Sequence, residues 1–128
     1  MKKKKTILIA DDMSLMRISL KLNLVNAGYD VILANDGREA LKHASRLFPP
    51  DLIILDIRMP RMDGYEVIKR LRESDCTKDI PVIFLTASTE KKDIMKAIEF
   101  GGNDYVVKPY KFADLHEKIK KLIDRGAF

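Results

Sequence analysis

The most informative stretch of the sequence is Leu52-Ile53-Ile54-Leu55-Asp56, in which four aliphatic residues lead directly into a carboxylate. An apolar run of this length, without alternating polar residues, is typical of a parallel strand that helices cover on both faces. Two prolines precede it, where proline ends a connection without removing a ladder hydrogen bond. Asp56 should therefore end a buried strand, where an ionised carboxylate is costly unless a cation pairs with it.

Similar apolar runs recur at residues 7–10, 31–34, 82–85 and 105–107, and segments with helical spacing separate them. Gly28 suits the end of the first helix, and Asn35-Asp36-Gly37 suits the start of the second. We expect the inward helix faces to consist of Leu15, Ile18, Leu22 and Val25; Ala40, Leu41, Ala44 and Leu47; Val67, Ile68 and Leu71; Ile94, Ala97 and Ile98; and Leu115, Ile119, Leu122 and Ile123. This alternation predicts an α/β fold with a doubly wound, five-stranded parallel sheet, five helices and right-handed crossovers.

Length and charge indicate a single small domain. The 128 residues fit one domain, and Lys2 to Lys5 carry four of the five net positive charges. We therefore predict a basic tail at 1–5, a domain at 6–125 and a short tail at 126–128. Because the remaining chain is nearly neutral, the sequence argues against nucleic-acid binding by this chain.

Hydropathy and cysteine content favour the cytoplasm. No apolar run reaches the roughly 20 residues that a membrane span needs, and the run behind the lysines is too short for a signal peptide. The lone Cys76 excludes an intramolecular disulfide and lies in a polar stretch, where an incidental loop thiol is the expected interpretation.

Polar residues follow four of the five predicted strands at the point where each strand ends. In a doubly wound sheet, ligands bind beyond the carboxyl ends of the strands. We expect Ser14 to cap the first helix, which leaves the two acidic residues before it without a structural role. The residues that should meet at this edge are Asp11, Asp12, Asp56, Thr86 and Lys108.

The charges of this group predict a divalent cation. Three clustered carboxylates repel one another, and Lys108 cancels only one of their charges. All the ligands are hard oxygen atoms, which favours Mg²⁺ over zinc. Such a site suits phosphoryl transfer, with the carboxylate of Asp56 as the nucleophile.

Five segments together resemble the receiver domain of bacterial response regulators in two-component systems, and the single-domain chemotaxis type in particular. The resemblance covers nearly the whole chain and implies a flavodoxin-like sheet with strand order 2-1-3-4-5. The segments are Ile9-Ala10-Asp11-Asp12, Leu55-Asp56-Ile57-Arg58-Met59-Pro60, Asp63-Gly64, Leu85-Thr86-Ala87 and Val107-Lys108-Pro109.

The resemblance assigns a role to each residue of the acidic site. Asp56 would accept the phosphoryl group. Asp12 would bind Mg²⁺ directly, Asp11 would bind it through water, and the carbonyl of Arg58 would be a further ligand. Lys108 would pair with the phosphoryl group, next to a cis Lys-Pro bond.

The resemblance also implies a conformational switch. Thr86 would move to hydrogen-bond a phosphoryl oxygen, and the small Ala87 would leave space for that movement. Tyr105 either rotates inward with Thr86 or is simply a half-buried strand-edge aromatic. The face formed by the fourth helix, fifth strand and fifth helix would then change shape.

Two positions beside the acceptor, Arg58 and Ser88, vary in this family and tune the lifetime of the phosphoryl group. Arg58 either covers the phosphoryl group and slows attack by water, or points into solvent. The implied partners are a histidine kinase or phosphotransfer protein and a downstream target or output domain. The chain would be a monomer or a phosphorylation-dependent dimer.

Three other functions remain open at this point. A phosphatase of the haloacid-dehalogenase type would need a second Asp two residues after its nucleophile, whereas Met13 follows the adjacent Asp11 and Asp12. A flavodoxin-type flavin protein would need a phosphate loop rich in Ser, Thr and Gly. A pure interaction domain would keep the fold without being phosphorylated. We expect a phosphoacceptor switch rather than an enzyme.

Overall fold

The computed structural model describes residues 4–124 and contains one five-stranded parallel sheet with strand order β2-β1-β3-β4-β5. The predicted fold is therefore confirmed. The predicted C-terminal tail and residues 1–3 of the basic tail lie outside the described residues. The elements are β1 Thr6–Ala10, α1 Ser14–Asn26, β2 Asp30–Ala34, α2 Gly37–Ala44, β3 Leu52–Asp56, α3 Gly64–Glu73, β4 Val82–Thr86, α4 Lys91–Glu99, β5 Asp104–Val107 and α5 Phe112–Asp124.

The central strand β3 lies between β1 and β4, and all five of its residues are buried. Its side chains alternate between two cores, as the pleat of a strand requires. Ile53 and Leu55 belong to the core under α2, α3 and α4, whereas Leu52 and Ile54 belong to the core under α1 and α5. Helices on both faces explain why this strand contains no alternating polar residues.

Helix α1 turns a different face inward from the one that the spacing predicts. Leu20 and Leu24 are buried, with 2% and 0% of their surface exposed. The predicted inward residues are instead between 46% and 77% exposed, and we call them the α1 stripe: Leu15, Ile18, Leu22 and Val25. The prediction was wrong because α1 has two apolar faces with helical spacing, and spacing alone does not rank them.

The other predicted helix faces are largely confirmed, with two exceptions. Leu47 is 86% exposed because α2 ends at Ala44, which leaves Leu47 in the loop before β3. Ile98 is 44% exposed, and α4 buries Ala97 instead. The buried members of the predicted faces are Ala40, Ala44, Val67, Ile68, Leu71, Ala97, Leu115 and Ile119.

The start of α1 also differs from the prediction, since the N-cap residue is Met13 and its side chain makes no capping hydrogen bond. The backbone N–H of Met13 instead donates to Oδ1 of Asp11 at 3.0 Å. Asp11 therefore does have a structural role, because it fixes the turn between β1 and α1. The end of the helix is as predicted, with Gly28 at a φ of 102° just after the C-cap.

Cys76 is exposed in the connection between α3 and β4, so its predicted position in a loop is confirmed. The described part of the chain, residues 4–124, contains no helix with the length and apolar character needed to cross a bilayer.

Candidate functional site

The predicted site residues meet at the carboxyl edge of the sheet. Asp11 and Asp12 follow β1, and Asp56 ends β3, which pairs directly with β1. One carboxylate oxygen from each of the three lies within 4.8 Å of the other two. Asp11 and Asp56 are buried, with 1% and 6% of their surface exposed, whereas Asp12 is exposed. Two buried charges and one accessible charge therefore share one small volume.

Lys108, directly after β5, bridges the two buried carboxylates. Its Nζ lies 3.3 Å from Oδ2 of Asp11 and 3.4 Å from Oδ2 of Asp56, and its side chain is 19% exposed. The Lys108–Pro109 peptide bond is cis, as predicted. With all four groups ionised, three negative charges face one positive charge, so the cluster carries a net charge of −2.

The surroundings of Asp56 disfavour its ionised form. Burial and the neighbouring carboxylate of Asp11 raise the pKa of Asp56 to about 6, although Lys108 lowers it. The backbone N–H of Arg58 donates to Oδ1 of Asp56 at 3.2 Å and also opposes the rise. Desolvation is the largest of these effects. A cation bound beside Asp56 would oppose it, because a nearby positive charge favours the ionised carboxylate.

The donor set fits a hard divalent cation. The three clustered side chains offer carboxylate oxygens only, and magnesium prefers oxygen ligands together with water. The exposed position of Asp12 leaves an approach from solvent for the ion and its waters. The residues therefore fit the predicted Mg²⁺, with Asp11, Asp12 and Asp56 as the groups that would hold it.

Thr86 ends β4 beside this cluster and is 5% exposed. Its Oγ1 accepts a hydrogen bond from the backbone N–H of Ser88 at 3.0 Å, so the hydroxyl is engaged in the loop that leads to α4. Ala87 is exposed between these two residues. Thr86 thus lies near the acidic cluster, with its hydroxyl accepting a hydrogen bond from the β4–α4 loop.

Tyr105 in β5 is half-buried and packs against the core under α2, α3 and α4. Nζ of Lys118 lies 5.7 Å from the centre of its ring and 3.0 Å from Oδ1 of Asp104. These contacts describe a packed strand-edge aromatic, and a rotation of Tyr105 stays a prediction.

A cavity of about 610 Å³ opens beside the acidic cluster. It lies between the loop after β3 and the start of α4, and Arg58 is exposed at its wall. Both predicted positions for the Arg58 guanidinium thus remain accessible to it. The lining residues are Asp12, Ile57, Arg58, Met59, Pro60, Asp63, Tyr65, Thr86, Ser88 and Asp93.

Three residues near the site were missed by the sequence reasoning. Nη1 of Arg17 donates to the backbone carbonyl of Asp11 at 2.6 Å and so helps to hold the β1–α1 turn. Tyr65 and Asp93 line the cavity from α3 and α4 and contact each other. A polar residue near the start of a helix is a common cap, so nothing in the sequence marks these contacts.

Comparisons with known proteins identify the family of the chain. Residues 7–120 match the response regulator receiver domain family. The chain is 40% identical to the alkaline phosphatase synthesis transcriptional regulatory protein PhoP of Bacillus subtilis over 95% of this chain and 50% of that protein. It is also 40% identical to the transcriptional regulatory protein PcoR of Escherichia coli over 94% of this chain and 52% of that protein. The chain thus spans about half the length of the curated relatives it matches.

Solved structures give the same assignment. The chemotaxis protein CheY4 of Vibrio cholerae superposes with a TM-score of 0.88 at 32% identity, covering 94% of this chain and 99% of that chain. The receiver domain of the sensor histidine kinase PA1611 of Pseudomonas aeruginosa, with a magnesium ion coordinated in its active-site cleft, has a TM-score of 0.88 at 31% identity and covers 95% and 99%. The chain therefore belongs to the response-regulator receiver domain family.

Proposed function

We propose that this receiver accepts a phosphoryl group on Asp56 with the help of Mg²⁺, and that phosphorylation switches the α4–β5–α5 face. The observation that carries the proposal is the convergence of Asp11, Asp12 and Asp56 around Lys108 at one edge of the sheet. With all four groups ionised, the cluster carries a net charge of −2, which a divalent cation would neutralise. The protein would then be a switch with intrinsic autophosphorylation and autodephosphorylation activity, not a metabolic enzyme.

The transfer itself needs only a positioned nucleophile and charge stabilisation. A carboxylate oxygen of Asp56 attacks the phosphorus of a phosphohistidine, and the P–N bond breaks as the imidazole leaves with its electron pair. Bound Mg²⁺, held by Asp12 and Asp56 with the Arg58 carbonyl and with Asp11 through water, would supply positive charge near the phosphoryl oxygens. Lys108 turns from the carboxylates to the phosphoryl group. In dephosphorylation, water attacks the same phosphorus, the P–O bond to Asp56 breaks, and inorganic phosphate and a proton are released as the carboxylate is regenerated.

The switch follows from the charge that the phosphoryl group brings. It adds close to two negative charges and three acceptor oxygens at pH 7. The hydroxyl of Thr86 accepts the N–H of Ser88 in the resting protein, and a movement of the hydroxyl toward one of these oxygens would carry it away from that N–H. Phosphorylation therefore competes with a contact in the β4–α4 loop, which is how a local charge shifts the population of two packings.

We propose that the phosphoryl donor, a histidine kinase or a phosphotransfer protein, docks on the α1 stripe. The stripe begins three residues after Asp12, at the rim of the acidic site, and a protein donor must cover this rim to bring its histidine to Asp56. Helix α1 contains no acidic residue, and Leu15 and Leu22 are 77% and 60% exposed. A contiguous apolar surface beside a reactive group favours a protein partner.

This docking predicts that protein donors and small donors respond differently to changes in α1. Ile18→Lys and Leu22→Lys should slow transfer from a phosphorylated histidine phosphotransfer domain at least tenfold, and leave phosphorylation by acetyl phosphate unchanged. Phosphoprotein formation over time measures both reactions. Lys21→Ala in the same helix is the matched control. Equal slowing with both donors would contradict docking on the α1 stripe.

For the output, we propose control of a DNA-binding domain or another transcriptional partner. The support comes from the names of the relatives PhoP and PcoR and from the half of their length that this chain spans. DNA contacts would then belong to the output domain and not to this chain, which would act as a monomer or a phosphorylation-dependent dimer. The similarity to CheY4 supports the alternative, a stand-alone regulator of the chemotaxis or phosphorelay type.

The decisive experiment is intact-mass measurement after incubation with Mg²⁺ and acetyl phosphate, with Asp56→Asn as the control. We expect a gain of one phosphoryl group that requires Mg²⁺ and is absent from the variant. A gain that persists in Asp56→Asn would move the acceptor to another residue. No gain in either protein would favour the unphosphorylated interaction domain.

A further inference from the structure

Helix α4 is held at its first turn by contacts from two directions. Oγ of Ser88, in the loop before α4, donates to Oδ2 of Asp93 at 2.8 Å. The hydroxyl of Tyr65, in α3, donates to the backbone carbonyl of Asp93 at 3.2 Å. One residue of α4 is therefore bonded through its side chain to the loop and through its backbone to a neighbouring helix.

These contacts form a continuous path from the acidic site to α4. The N–H of Ser88 donates to Oγ1 of Thr86, and Oγ of Ser88 accepts the N–H of Glu90 at 3.1 Å while donating to Asp93. Ser88 thus uses its backbone on the site side and its side chain on the helix side. A displacement of the Thr86 hydroxyl removes the first contact in this path.

The ring of Tyr65 also packs against the C-terminal end of α4. The centre of its ring lies 5.7 Å from that of Phe100, the C-cap of α4, and 6.2 Å from that of Phe84 in β4. Nζ of Lys96 lies 4.4 Å from the Tyr65 ring centre. Burial and the nearby carboxylates of Asp93 and Asp63 raise the pKa of Tyr65, so its hydroxyl remains a donor at neutral pH.

Helix α4 has little other packing to hold it. The structure describes all of α4, and Ala97 is the one residue of it that is buried. Met95 and Ile98 are 50% and 44% exposed. An element with few buried apolar contacts opens at low free-energy cost, so a few polar contacts carry a large share of its docking.

We propose that Ser88, Asp93 and Tyr65 form a latch that holds α4 in its resting position and that opens when the Thr86 hydroxyl turns to the phosphoryl group. This α4 latch rests on the proposed function, because phosphorylation is the event that draws Thr86 away. It sets the ratio of resting to active packing before phosphorylation, and each of its hydrogen bonds biases that ratio toward rest.

The test is amide hydrogen exchange of residues 91–99 in the full, unphosphorylated chain. Tyr65→Phe keeps the ring contacts and removes the hydroxyl, and Ser88→Ala removes the link to Asp93. Each should speed exchange in α4 about threefold to tenfold, as expected for loss of one hydrogen bond that restrains local opening. Ser88→Thr, which keeps a hydroxyl, should restore the exchange rate of the wild type.

Tyr29→Phe is the matched control. It removes a tyrosine hydroxyl that lies 3.1 Å from Nε2 of His116, on the face of the sheet that carries α1 and α5. Exchange in α4 should be unchanged in this variant. Unchanged α4 exchange in both Tyr65→Phe and Ser88→Ala, or equal acceleration by Tyr29→Phe, would overturn the latch.

A second arm uses Mg²⁺ and acetyl phosphate, with intact mass measured on the same samples. Phosphorylation of the wild type should speed α4 exchange, and phosphorylation of Ser88→Ala should add less, because its latch is already open. An equal added increase in the two proteins would also overturn the latch. If the mass shows no phosphoryl group on the wild type, the proposed function fails, while the resting-state comparison still decides the latch.

Discussion

At the scale of single residues, Asp56 combines two opposed requirements. A phosphoryl acceptor must be an ionised nucleophile, yet Asp56 is only 6% exposed and its carboxylate lies beside that of Asp11. Burial and Asp11 together raise the pKa of Asp56 from 3.8 to about 6. Between these two values the folded protein binds more protons than the unfolded chain, so stability falls as the pH rises. Without metal, the ionised Asp56 therefore destabilises the fold above pH 6.

Because ionisation of Asp56 lowers the stability of the fold, we predict that Asp56→Asn stabilises the metal-free protein. At pH 8 in the presence of EDTA, the free energy of unfolding should rise by about 1 to 3 kcal/mol, since a tenfold change in a proton-binding constant between the folded and unfolded states corresponds to about 1.4 kcal/mol. The gain should shrink at pH 4, where Asp56 is protonated in the folded wild type. Urea unfolding at the two pH values measures both. A variant less stable than the wild type at pH 8 would contradict this explanation of Asp56.

The same proton predicts how Mg²⁺ binding depends on pH. A cation and a proton compete for the Asp56 carboxylate, so affinity for Mg²⁺ should fall as the pH drops through about 6. Thermal unfolding with increasing Mg²⁺ at pH 8 and pH 5 measures the shift, because a ligand of the folded state raises the melting temperature. Asp12→Asn should remove most of the Mg²⁺ effect, whereas Asp79→Asn, outside the site, should leave it intact.

Arg58 predicts a change in the lifetime of the phosphoryl group. Its side chain is exposed at the wall of the cavity beside Asp56, within reach of the approach that water would take. If Arg58 covers the phosphoryl group, Arg58→Ala should dephosphorylate severalfold faster, as followed by loss of the phosphorylated mass. Arg61→Ala removes a nearby arginine that pairs with Asp36 instead and should behave like the wild type. An unchanged or slower rate in Arg58→Ala would leave Arg58 as a solvent-facing side chain.

At the scale of elements, β3 and α1 show what sequence can and cannot predict. The sequence of strand β3 allows only one placement in the fold, because a strand of aliphatic residues must be covered by helices on both faces. The sequence of helix α1 allows two orientations, because Leu22 and Leu24 lie on different apolar faces and either face could pack against the sheet. Spacing predicts that a helix is amphipathic, and contacts with the sheet decide its rotation about its own axis.

Helix α1 therefore supplies a prediction with its own control. Leu24→Ala leaves a cavity in the core under α1 and α5 and should lower the free energy of unfolding by about 2 to 5 kcal/mol. Leu22→Ala changes a residue that is 60% exposed and should change it by less than about 0.5 kcal/mol. Chemical unfolding of the two variants measures the difference. Equal losses would place both faces of α1 in the core.

The residues of the candidate site also separate into those that the sequence could predict and those that it could not. Asp56, Thr86 and Lys108 could be predicted because each directly follows or ends a strand, and strand ends meet at one edge of the sheet. Tyr65 and Asp93 could not, because their contact depends on how α3 and α4 pack against each other. That packing follows from side-chain shape, which the period of apolar residues does not encode.

At the scale of the whole molecule, strand order creates the site. Because β1 lies directly beside β3, Asp11 meets Asp56 although 45 positions separate them in the chain. Only the resemblance supplied the order 2-1-3-4-5, since alternation of strands and helices is compatible with several orders. The sheet also separates two cores: α1 and α5 cover one face, and α2, α3 and α4 cover the other. The α1 stripe and the α4 latch, one a proposed docking surface and the other a proposed set of restraining contacts, therefore lie on opposite faces of the sheet.

The exposure of the α1 stripe has a consequence for how such proteins diversify. Its side chains contribute little to the core, and none of them is among the acidic cluster at the strand ends. Substitutions there are thus nearly free of the demands of folding and of chemistry. After a gene duplication, two copies could keep an identical reaction centre and acquire separate partners by drift and selection on the α1 stripe alone. Insulation between parallel signalling routes can then evolve a few residues at a time.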